Sequence, residues 1–162
     1  MKPKLSLLIS LASLLATSGL LATVSITNAQ NPIEVFGRAR QNALRITCQT
    51  HLRQLSEAVL AHARSNDGRL PNLSSPAALR KALGSRVKDG KIFRCSQGHL
   101  FQGNATLSGR KLSTLKNPEK IVLLYDPVNA HLGGRNVAWA DGSVKWHTNE
   151  NWGDILHRQK VR

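Results

Sequence analysis

The sequence predicts an α+β fold in which a long N-terminal helix packs on a small antiparallel β-sheet. An apolar stripe at helical spacing runs through residues 33–65, a turn-rich middle follows, and the last third holds short apolar runs broken by Asp-Gly. With 162 residues the chain has room for one ordinary domain. It divides into residues 1–29, a signal peptide or membrane anchor; 30–74, the long helix and its end; 75–147, a short helix, loop and sheet; and 148–162, a C-terminal tail.

Lys2 and Lys4 precede "LSLLISLASLLATSGLLATVSI", an uncharged stretch followed by "TNAQ". A basic start, an apolar run and small residues before a cut describe an export signal. Thr27 and Ala29 occupy the small-residue positions, so the mature chain begins at Gln30. Residues 5–26 are also long enough to span a bilayer, but the Ser, Thr and Gly among them favour cleavage over retention. In either case the domain faces an extracytoplasmic space: periplasm, cell surface or medium, or the outer side of the inner membrane.

That compartment determines how the two cysteines read. Cys48 and Cys95 form an even count in an oxidising environment, which predicts one disulfide. Closing the loop between them stabilises a small domain by about 2–4 kcal/mol. A zinc site is the alternative, with "CSQGH" offering Cys95 and His99, although no second close cysteine pair accompanies them.

Leu44, Cys48, Leu52, Leu55, Val59 and His62 recur at steps of four and three, one stripe of a helix from Ile33 to about Ser65. Arg45, Gln49, Arg53, Glu57 and Arg64 fall largely off it. "NDG" ends the helix with Gly68 as a left-handed cap, and Pro71 prevents its resumption. In "SPAALRKALG", Ser75 is the N-cap of a second helix, Pro76 its first residue and Gly84 its close. "KIFRC" is a short extended piece delivering Cys95, and residues 96–117 read as loop.

"KIVLLY" is a central strand buried on both faces. "HLGGRNVAWADGSVKW" is a hairpin. A two-residue type I′ turn at Asp141-Gly142 sets Trp139 opposite Val144 and Val137 opposite Trp146 on one face, with Ala138 and Lys145 on the other. Trp139 and Trp146 then belong to the core, leaving Trp152 as the exposed tryptophan.

Segment 39–71, "ARQNALRITCQTHLRQLSEAVLAHARSNDGRLP", with "FRC", "NPEKIVLLYD" and the hairpin in the same order, resembles bacterial pseudopilin-like, prepilin-type proteins with an H-X9-DG C-terminal motif. The motif falls on His131, Asp141 and Gly142, and the similarity covers about residues 39–147. The resemblance implies a pilin-like layout and a structural part in type II secretion or type IV pilus systems, with other pilin-like or secretion-system subunits as partners. The chain departs from that pattern at its start: no prepilin peptidase site precedes the apolar stretch, and no Glu lies near its beginning. His51 also stands where the family has Asn.

No G-x-S-x-G, H-E-x-x-H or phosphate-binding glycine loop is present, so no enzyme is expected. His131, Asp126 and Asp141 are the residues from which an acid–base site could be imagined, and a calcium ion held by Asp126 or Asp141 with loop carbonyls is the cofactor candidate. The chain carries 23 Lys and Arg against 9 Asp and Glu, formally +14, which attracts polyanions. The rival function is therefore a module binding DNA or an anionic envelope polymer through Arg38, Arg40, Arg45 and Arg53, although scarce aromatic residues leave little for stacking on single strands.

Overall fold

The computed structural model describes residues 31–127 and 131–159. The expected signal or anchor segment lies outside them. Among the described residues, no helix is long and apolar enough to cross a membrane.

The fold is α+β. Helix α1 (Pro32–Arg64) and α2 (Pro76–Leu83) precede a four-stranded antiparallel sheet of β1 (Gln102–Gly103), β2 (Val122–Tyr125), β3 (Gly134–Trp139) and β4 (Val144–Thr148), paired in that order. A third helix, α3 (Asn149–Gln159), follows.

α1 is 33 residues long, about 50 Å at 1.5 Å per residue. Along the expected stripe Cys48, Leu52, Leu55 and Val59 are fully buried, while Leu44 and His62 are half-buried. Residues 31–40 are all exposed. The helix stops where Asp67 and Gly68 adopt positive φ and the Gly68 N–H donates back to the Ala63 carbonyl at 2.9 Å. α2 begins as its sequence directs: the Ser75 hydroxyl accepts from the Ala78 N–H at 3.1 Å, and Pro76 takes a position whose N–H would lack an intrahelical partner.

β2 is interior to the sheet, with β1 on one side and β3 on the other. A register shift opposite β3 between Val122 and Leu124 adds one residue to β2. Leu123 and Leu124 consequently both join the core under α1, whereas Val122 joins the core on the opposite face.

The hairpin differs from its expected register by one residue. Ala138 pairs with Val144, Val137 with Lys145 and Asn136 with Trp146. The connection is a three-residue loop, Ala140-Asp141-Gly142, closed by the Trp139 N–H on the Ser143 carbonyl at 2.8 Å. Gly142 at φ +89° supplies the left-handed residue such a loop needs, and the Asp141 carboxylate accepts from the Ser143 N–H at 2.9 Å. The shift sends Ala138 and Val144 to the α1 face and Val137 and Trp139 to the other.

That second face is covered. The expected tail is largely α3, whose Trp152 and Ile155 form a separate small core with Val122, Val137 and Trp139. Trp152, expected at the surface, is buried, with the Tyr125 ring 4.9 Å away and the Arg135 guanidinium 4.9 Å from its ring centre. At the end of α3, the Gln159 side chain accepts from the Val122 N–H at 2.7 Å and donates to the Lys120 carbonyl.

Candidate functional site

Four buried side chains with metal-binding or acid–base chemistry converge between α1 and the sheet. α1 supplies Cys48 from its core stripe. Cys95 sits in a tight turn: its N–H donates to the His99 carbonyl and the Gly98 N–H to the Cys95 carbonyl, both at 2.8 Å, with Gly98 at φ +90°. The Ser96 N–H at this turn donates to Cys48 Sγ at 2.8 Å.

His131 stands at the entrance to β3. Its backbone exchanges both hydrogen bonds with Gly134, at 3.2 and 3.0 Å, across a turn in which Leu132 (φ +51°) and Gly133 (φ +77°) are both left-handed. Placing a leucine there costs about 1–2 kcal/mol. The Trp146 indole N–H donates to the His131 carbonyl at 3.0 Å, and the Trp146 ring lies against Gly134 so closely that a Cβ there would collide with it. The position of the imidazole is therefore fixed by backbone geometry and a tryptophan.

Asp126 follows β2. Its N–H donates to the Asn136 carbonyl at 3.0 Å, and its Oδ2 accepts from the Asn136 N–H and side-chain amide, each at 3.3 Å. The same amide nitrogen donates to the Arg45 carbonyl at 3.3 Å, tying β3 to α1.

The two sulfurs are 2.7 Å apart, and both cysteines are free thiols. The expected pairing in space is present, without the bond. This separation exceeds the roughly 2.0 Å of a disulfide. His131 Nε2 lies 3.1 Å from Cys95 Sγ and 3.7 Å from Asp126 Oδ2. Cys48, Asp126 and His131 are wholly inaccessible to solvent and Cys95 is 3% exposed. Among the described residues, Asp126 Oδ1 and His131 Nδ1 have no hydrogen-bond partner.

Burial and hydrogen bonding separate the two thiols electrostatically. Cys48 is pulled down to about 5, chiefly by its hydrogen bond with Cys95 and further by Ser96, against the opposing effect of burial. Cys95 is pushed up, by the same contact with Cys48 and by burial. The one sulfur–sulfur contact therefore drives the two thiols in opposite directions and makes Cys48 the more acidic of the pair. Burial also raises Asp126, reinforced by the negative charge on Cys48. The cluster offers soft sulfur, imidazole nitrogen and carboxylate oxygen in one dry place.

The other candidates separate. Asp141 is exposed and serves its turn, five residues along the hairpin from Asn136, the partner of Asp126; the two carboxylates proposed for calcium have different tasks. His99 is exposed and meets Cys95 only through its carbonyl, so the zinc pair read from "CSQGH" is not assembled. His131 stands beside Cys95 instead. Arg38, Arg40 and Arg53 are exposed and Arg45 is half-buried. Helical periodicity puts Arg38, Arg45 and Arg53 along one side of α1 and Arg40 roughly opposite, so the four do not share one face.

His131 as the neighbour of the thiols was the residue that sequence reasoning missed. A signal for it existed: the motif spacing that makes Asp141-Gly142 the turn also fixes His131 at the other end of β3. Compared with models of protein families, with curated proteins and with solved structures, the chain matches none in any of the three.

Proposed function

We propose that this chain is an exported, non-catalytic pilin-like structural or interaction subunit, related in role to the pseudopilins of type II secretion and type IV pilus systems. The uncovered N-terminal part of α1 docks on the corresponding helix of another subunit. The observation that carries the reading is the division of α1 into two halves. Leu52, Leu55 and Val59 are sealed against the sheet, whereas Val35 and Phe36 stand 44% and 75% exposed on a stretch where every residue from 31 to 40 is exposed. Each such side chain gains about 1.5–3 kcal/mol when fully buried, so a partner that covers them would stabilise this part of the helix. The order of long helix, short helix and hairpin supports the same reading.

The test is the size of the native complex. Replacing Val35 and Phe36 together by Asp is expected to release the protein from its envelope complex while leaving its thermal midpoint unchanged, because neither side chain belongs to the core. A complex of unchanged size in the double variant contradicts the proposal.

A further inference from the structure

We infer that Cys48, Cys95 and His131 form a buried three-residue site for a single zinc ion, with the Asp126 carboxylate, 3.7 Å from the imidazole, beside that trio. This goes beyond the proposed docking role and does not depend on it. Cys48 Sγ, Cys95 Sγ and a His131 ring nitrogen lie within 4.8 Å of one another. They arrive from α1, from a tight turn and from the entrance to β3, a spread of donors typical of a site that closes a fold. Two thiolates and an imidazole are soft and borderline donors of the kind zinc selects and calcium does not.

The distances fit a small adjustment. Tetrahedral zinc with bonds near 2.3 Å to sulfur and 2.0–2.1 Å to nitrogen needs about 3.8 Å between sulfurs and about 3.5 Å from sulfur to nitrogen. The present separations are 2.7 and 3.1 Å. Side-chain rotations that widen the sulfur–sulfur gap by about 1.1 Å and the sulfur–nitrogen gap by about 0.4 Å open the cluster to that size, with the Ser96 N–H already directed at one sulfur.

A disulfide accounts for the cysteines but not for their neighbours. A cystine needs neither an imidazole at 3.1 Å nor a carboxylate sealed from water, and burying such groups without full pairing is unfavourable. Zinc uses the whole cluster. Its two positive charges compensate the two thiolates, and the carboxylate, whose Oδ1 has no hydrogen-bond partner among the described residues, gains a cation. Asn136 orients that carboxylate, and the left-handed turn at Leu132-Gly133 holds the histidine.

Cobalt(II) is the probe, added to the full chain purified with reductant and without metal. The expected result is a saturable, one-to-one appearance of thiolate-to-cobalt charge transfer and the visible bands of tetrahedral cobalt, displaced by zinc. Protein taken directly from its native compartment is expected to carry one zinc per chain and two thiols that alkylate only after chelation. Cys48→Ser and Cys95→Ser should each remove about half the charge-transfer intensity, and His131→Ala should weaken binding by about 100-fold or more, beyond the loss caused by an outer-sphere partner. Asp126→Asn should weaken binding by about 10-fold or more while leaving the charge transfer in place, as for a partner beside the ligands, and His99→Ala should change nothing. If a variant fails to fold, the wild-type titration and the native zinc content still decide. Reduced wild-type protein without charge transfer overturns the inference. So does a folded His131→Ala that binds unchanged, or native protein without zinc whose mass is lower by two hydrogens, a disulfide.

Discussion

Gly134 is the position where the sheet has least room. A Cβ there would run into the His147 carbonyl and the Trp146 ring, neither of which can retreat without opening the hairpin. Gly134→Ala is therefore expected to lower unfolding free energy by about 1–3 kcal/mol, measured by denaturant titration; an unchanged midpoint would mean that the ring does not rest on the backbone. His147 makes a second prediction. Burial, and then the nearby Lys145 charge, lower its pKa, so the folded protein resists protonating it. The unfolded chain binds that proton more readily, and the resulting stability is full above about pH 6.5 and lost as pH falls through the depressed folded value. His147→Phe should remove that part of the acid slope, and an identical slope in the variant would refute the assignment. At this scale the sequence was only partly legible. Gly68, Ser75 and Gly142 announced their roles through local chemistry, because caps and turns are decided by a few adjacent atoms. The meeting of His131 with Cys48 and Cys95 was hidden, since it depends on three segments far apart in the chain.

α1 was legible because its stripe repeats over five turns, which outweighs any one residue. α3 was not: "NENWGDILHRQ" contains Gly153 and several residues of poor helix propensity, so local preference argues against it. The helix forms because Trp152, Ile155 and Leu156, at helical spacing, find the second face of the sheet. That face was itself misassigned. Asp-Gly by itself predicts a two-residue turn, but Ala140 belongs to the loop, and the one-residue shift exchanges what each face presents. Truncation in either core should therefore be costly. Leu55→Ala is expected to lose about 2–5 kcal/mol and Trp152→Ala about 3–5 kcal/mol, compared by equilibrium unfolding. A loss below about 0.5 kcal/mol for Trp152→Ala would mean that α3 does not cover the sheet.

In the described molecule, the two faces of one small sheet do different work. α1 seals one face, together with the cysteines, His131 and Asp126, and α3 seals the other. The part of α1 left over extends beyond this packing with Val35 and Phe36 exposed, and that surplus helix is the basis of the docking proposal. The positive charge is spread along the sequence, and the four arginines Arg38, Arg40, Arg45 and Arg53 do not share one face of α1. The most direct measurement is photo-crosslinking in the native cell from a reactive residue at position 36, with the adduct identified by mass spectrometry. The account predicts an adduct to the α1-like helix of another pilin-like or secretion-system subunit, absent when the reactive residue stands at exposed position 86. No adduct from position 36, or the same adducts from both positions, would contradict it.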